Sequence, residues 1–97
     1  MKCVVNIKKK VTDKLEKIPD YIVDKLEYWV NAVETHGISI VRKIPGYHDE
    51  PLQGDRKGQR SIRLNKAYRA IYEETIENSI RIILISIGYI VSTSNFS

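Results

Sequence analysis

Apolar side chains change their spacing along this chain, and each change marks an expected boundary. Val11, Leu15 and Ile18 recur at helical intervals behind Thr12 and Asp13, which predicts a short helix ending near Pro19. Pro19 suits the first turn of a second helix, where its missing N–H leaves no bond unmade. Ile22, Leu26, Trp29, Val30 and Val33 then line one face as far as His36 and the terminating Gly37. The two helices are expected to pack as a hairpin. A stripe of this period is a core face, and Trp29 is read with it as core rather than as part of a ligand site. Ile38 to Ile44 fits either a helical turn or an extended stretch, and Pro45-Gly46 closes it.

A loop follows at 45–58, with Pro45, Gly46, Pro51, Gly54 and Gly58 and scarcely an apolar side chain; loops this long in small domains often carry function. Beyond it the period falls to two. Ile62 and Leu64 alternate with Ser61 and Arg63, and Tyr68, Ala70 and Tyr72 alternate with Arg69, Ile71 and Glu73, which predicts two strands joined at Asn65-Lys66-Ala67. Glu74 to Ser79 reads as another turn. Arg81 to Ile87, almost continuously apolar and β-branched, reads as a strand buried on both faces, and Cys3 to Ile7 as a further strand. With no repeat or linker in view, residues 1–97 are expected to form a single α+β domain. A two-helix hairpin would cover one face of a small, mostly antiparallel β-sheet and leave the other partly open.

Composition narrows the function. Ninety-seven residues of which 42% are apolar leave room for one small core, which excludes a multi-domain enzyme. No apolar run approaches the roughly 20 residues that span a bilayer, and the N-terminus does not read as a secretory signal, so the chain is expected to be soluble and cytoplasmic, with no membrane partner. Cys3 is the single cysteine and the two histidines lie far apart, so neither an internal disulfide nor a Cys/His zinc cluster is expected, and no metal or cofactor is assigned.

Charge is unevenly placed. Residues 56–69 carry Arg56, Lys57, Arg60, Arg63, Lys66 and Arg69 and no acid, a local charge of +6 against +4 for the whole chain. Residues 18–55 sum to −4, and the first seventeen residues to +4. Six clustered cations repel one another until a polyanion displaces their counterions, so a nucleic acid or a strongly acidic protein segment is the expected partner. If Ile62, Leu64, Tyr68, Ala70 and Tyr72 face the helices, Arg63 and Arg69 project from the opposite face, with Arg60 and Lys57 near the start of the strand. Arginine suits such a surface because its planar fork donates two parallel bonds to phosphate and stays ionised. Arg56, Lys57 and Lys66 extend it as RNA-binding candidates. The spacing of Gly54 and Gly58 fits neither a P-loop nor a dinucleotide fingerprint.

Three stretches go further: Arg42 through Leu52 (RKIPGYHDEPL), Lys57 through Leu64 (KGQRSIRL) and Ala67 through Tyr72 (AYRAIY). They resemble the RelE/HigB branch of the RelE/ParE toxin superfamily, and the resemblance extends more weakly over residues 15–88. It implies a toxin paired with a cognate antitoxin. It also implies metal-independent cleavage of mRNA on the ribosome, and hence inhibition of translation. On that resemblance Arg69 falls on the arginine of a Tyr-Arg-x-Ile-Tyr motif and would stabilise the scissile phosphate, Arg63 matches a basic strand position, and Arg60 and Lys57 fall in the basic region before it. Active relatives place further chemistry after the last strand. This chain instead reads Gly88-Tyr89-Ile90-Val91-Ser92-Thr93-Ser94-Asn95-Phe96-Ser97, with no histidine, acid, lysine or arginine.

Cleavage needs a group to take the 2′-hydroxyl proton, another to protonate the leaving 5′-oxygen, and cations for the charge between them. Arg69, Arg63 and Arg60 would supply the cations. His48 is the first candidate for proton transfer, Glu50 a weaker one, and Tyr89 another. Two further readings stay open: a member without turnover that only binds antitoxin, RNA or ribosome, and a ParE-like inhibitor of DNA gyrase.

Overall fold

The computed structural model describes residues 3–76 and 80–89. One sheet holds β1 (Cys3–Ile7), β2 (Glu50–Pro51), β3 (Gln59–Arg63), β4 (Tyr68–Ile76) and β5 (Ile80–Tyr89) in the order β1-β5-β4-β3-β2. β1 runs parallel to β5 and every other neighbouring pair is antiparallel. The helices are α1 (Lys9–Leu15), α2 (Asp20–His36) and α3 (Ile38–Val41). The α+β expectation therefore holds, with a mostly antiparallel sheet. The ambiguous stretch after Gly37 begins as the short helix α3, entered through Gly37 at φ 92°, a backbone setting that glycine adopts without steric cost.

The turn expected from Glu74 to Ser79 does not include its first three residues. Glu74, Thr75 and Ile76 continue β4, paired with Ile82, Arg81 and Ile80, because the ladder to β5 outweighs the weak strand preference of glutamate. Residues 77–79 lie outside the described residues. β5 occupies an interior position as its apolar run predicted, and it carries a bulge. Ile71 pairs with Ser86 but Tyr72 with Leu84, leaving Ile85 as the extra residue.

The core joins Ile22, Leu26, Trp29 and Val33 of α2 to Val11 of α1, Ile38 and Val41 of α3, Ile62 of β3, Ala70 and Tyr72 of β4, and Ile82, Leu84 and Ile87 of β5. Trp29 is fully buried with its ring 5.2 Å from that of Tyr72, so α2 and the middle of β4 are locked together. The exposed edge of β1 is blunted: Glu34 of α2 accepts the N–H of Val5 at 3.2 Å. Past the end of β1, α1 runs beside the second half of β5, where Lys14 donates to the carbonyl of Ile87 at 3.3 Å. No helix among the described residues is long and apolar enough to cross a membrane.

Trp29→Ala should remove about 3–5 kcal/mol of stability. Urea unfolding would show this as a lower midpoint at an unchanged slope.

Candidate functional site

The turn between β3 and β4 sets the register of the site. Asn65 Oδ1 accepts the N–H groups of Ala67 and Tyr68 at 2.7 and 2.8 Å, an Asx-type turn that closes the hairpin. The register pairs Arg63 directly with Arg69, so both side chains leave the face opposite Ile62 and Ala70, with their Cβ atoms about 5 Å apart. On the next strand Arg69 pairs with Gly88, and among the described residues nothing lies within 4 Å of the position a Cβ would take there. Among the described residues, no side chain of β5 therefore stands directly beside Arg69 on this ladder.

Arg69 donates to Ser61 Oγ and, through Nη2, to Glu50 Oε1 at 3.2 Å. β2 brings Glu50 there by pairing it with Ser61. Arg63 Nε is buried and has no hydrogen-bond partner among the described residues. Two like charges directly across a ladder repel, so this pair works against the sheet. Together with Glu50 the trio keeps a net positive charge and two guanidinium forks suited to phosphate.

Arg60 does not join them. It pairs with Tyr72, on the helix side, and its Nε donates to Asp49 Oδ1 at 2.6 Å. The correction was available from the period of two, since residue 60 shares the parity of Ile62 and not of Arg63. Tyr72 donates its hydroxyl to Asp49 Oδ2 at 2.5 Å and accepts from Arg42 Nε at 3.4 Å, while Arg42 Nη2 donates to Glu74 at 2.6 Å. Burial, reinforced by the carboxylate of Asp49, pushes the Tyr72 phenol far above its ordinary range, against the opposing pull of Arg42. It is therefore a fixed donor and not a proton shuttle. The Asp49 side chain is wholly buried, so this network ties the 45–58 loop to the core. Successive strand residues point to opposite faces, so anchoring Asp49 on one side presents Glu50 on the other.

The fold has solved counterparts. A YoeB/ParE toxin from Agrobacterium tumefaciens superposes at a TM-score of 0.65 and 20% identity, over 94% of this chain and all of that one. The toxin–antitoxin complex RelBE2 from Mycobacterium tuberculosis gives 0.68 at 15% identity, over 93% of this chain and all of the matched one. The Escherichia coli DinJ–YafQ toxin–antitoxin complex gives 0.67 at 18% identity, over 92% of this chain and 93% of the other. No family profile and no curated protein sequence matches the chain. The chain has the RelE/ParE toxin fold.

In this RelE/ParE fold the remaining candidates spread around the open face. Lys66 is exposed on the β3–β4 turn, at the Arg63–Arg69 end. Arg56 and Lys57 are exposed at the other end, on a 3-10 turn at Gly54–Arg56, where Arg56 donates to Gln59 at 3.1 Å. His48 sits exposed after the 3-10 turn Pro45–Tyr47, in the left-handed conformation at φ 45° and ψ 49°. Among the described residues, no hydrogen bond or ion pair joins its ring to the arginines. Among the described residues, the carboxylate that touches Arg69 belongs to Glu50, the weaker of the two loop candidates in the sequence. Tyr89 is also set apart: it pairs with Tyr68, their rings edge to face at 5.1 Å, one residue out of phase with Gly88 and Arg69.

Sequence reasoning missed two cations. Lys8 and Lys10 line a hollow of about 250 Å³ with Arg56, Gln59, Glu73, Ile85 and Ser86. The excess charge of the first seventeen residues was a signal, but only the parallel pairing of β1 with β5 brings it to this sheet face. Among the described residues no three His, Cys, Asp or Glu side chains are grouped as a metal ion would need.

The two acids of β2 and its approach should separate in unfolding experiments. Asp49→Ala strands Arg60 and Tyr72 and should cost about 3–5 kcal/mol. Glu50→Ala, removing a half-exposed partner, should cost less than about 1 kcal/mol.

Proposed function

We propose that this chain is the toxin of a toxin–antitoxin pair, acting in the cytoplasm as an endonuclease on messenger RNA held by the ribosome. The observation that carries the reading is the cross-strand pair Arg63 and Arg69, set on the sheet face away from Ile62 and Ala70 with Glu50 against Arg69. RNA laid along that face meets two guanidinium groups for one phosphate and a carboxylate beside it. Glu50 takes the proton from the 2′-hydroxyl, whose oxygen attacks the adjacent phosphorus. Arg69 and Arg63 bind the phosphate and neutralise the charge that builds on its oxygens. The bond to the 5′-oxygen breaks, leaving a 2′,3′-cyclic phosphate on one fragment. His48, on the exposed turn two residues ahead of Glu50, returns a proton to the leaving oxygen. Lys57, Lys66 and Arg56 hold the backbone to either side, and Arg60 acts indirectly by holding Asp49. A cognate antitoxin would cover the same basic face in the resting complex. The named toxin–antitoxin complexes that share the fold support that partner.

A second reading rests on the sequence after Gly88, which lacks the histidine, acid and basic residues with which active relatives complete the site. In it the chain binds the ribosome or RNA without cutting.

Mapping mRNA ends after adding the purified chain to translating ribosomes decides between them. The endonuclease reading predicts codon-spaced cuts that fall about 100- to 1,000-fold in rate with Arg69→Ala. It also predicts a large loss with Glu50→Gln at preserved stability. Ribosome binding without new ends would support the second reading. Double-stranded DNA breaks in cells with intact mRNA would point to gyrase poisoning and overturn both.

A further inference from the structure

We infer that the hollow lined by Lys8, Lys10 and Arg56 is a second phosphate subsite for the same RNA strand, at the far end of the sheet face from Arg63 and Arg69; this rests on the RNA-binding reading above. Its floor comes from three strands. Gln59 of β3 pairs with Glu73 of β4, and the bulge at Ile85 and Ser86 of β5 completes the surface. Lys8 reaches it because β1 ends beside Leu84, whose carbonyl accepts the N–H of Lys8 at 3.1 Å, and the chain then turns into α1. Three cations face one carboxylate, that of Glu73, so the hollow stays net positive. Lys8, Lys10 and Arg56 are all exposed, and Arg56 is held over the hollow by its bond to Gln59 at 3.1 Å.

Two features tie the hollow to the arginine pair. A smaller space of about 80 Å³, lined by Lys10, Val11, Lys14, Ser86 and Ile87, shares Lys10 and Ser86 with it, and its β5 residues immediately precede Gly88, the partner of Arg69. The distance along β3 from Gln59 to Arg63 is four residues, about 13 Å at strand rise. A stacked RNA strand covers that span in roughly four nucleotides at 3.4 Å each. The two ends of the face therefore fit two phosphates of one short segment, and a substrate too short to reach Lys8 and Lys10 loses their contribution. An acidic protein segment would meet the same cations. Gln59 and Glu73 share the face of Arg63 and Arg69 four ladder positions away, and two cationic clusters at a fixed separation favour a regularly spaced polyanion.

Fluorescence anisotropy with labelled di- and octaribonucleotides, titrated over a range of salt without ribosomes, tests this. For the octanucleotide the slope of log K against log salt should fall by about 1.4 in Lys8→Gln/Lys10→Gln, two contacts at about 0.7 each. Dinucleotide binding should be unchanged, and Glu73→Gln should tighten the octanucleotide. An unchanged octanucleotide slope in the double variant would overturn the subsite. The arginine site would survive that result if Arg69→Ala still weakened both oligonucleotides, whereas wild-type protein that bound neither at low salt would defeat both readings. A polyglutamate peptide whose binding depends on Lys8 and Lys10 while the RNA slope does not would assign the hollow to a protein partner and overturn the RNA subsite.

Discussion

The register of β3 against β4 is the constraint on which the rest depends. Closed by the Asn65 turn, it sets Arg63 opposite Arg69 and both opposite the buried face that carries Ile62, Ala70 and Tyr72. A shift of one residue would send the arginines into the core and the apolar side chains into water. The core thus enforces a juxtaposition that electrostatics alone disfavours. Local conflict of this kind between fold and charge is expected at functional or strained sites.

The neighbouring strand uses the same alternation. Asp49, held between Arg60 and Tyr72, belongs to the packed side, while Glu50 is delivered to the open side, against Arg69. The loop at 45–58 has few apolar anchors of its own, so the buried carboxylate of Asp49 does the work that hydrophobic side chains do elsewhere in the sheet. Stability and proposed chemistry therefore sit on adjacent residues with separate partners.

Much of this was legible in the sequence. The helical stripe through Trp29 and the alternating strands around Arg63 and Arg69 are periodic, and periodicity reports which face is buried. Arg60 lies close in sequence to Arg63 but shares the parity of Ile62, and parity, not proximity, decides its face. The order of Glu50 and His48 could not be read, because it depends on which residue of an irregular loop pairs with Ser61. Lys8 and Lys10 were invisible as part of the site for a different reason. Their position follows from a parallel pairing between the first and last described strands, and no local pattern encodes a contact that distant.

The central claim is that the arginine pair is kept for an anion and against the interests of the fold. Comparing urea midpoints of the wild-type chain and Arg63→Gln, each with and without a saturating octaribonucleotide, tests it most directly. The account predicts that the variant alone is at least as stable as the wild type and gains distinctly less from RNA. A variant that is markedly less stable on its own yet gains as much from RNA would contradict it.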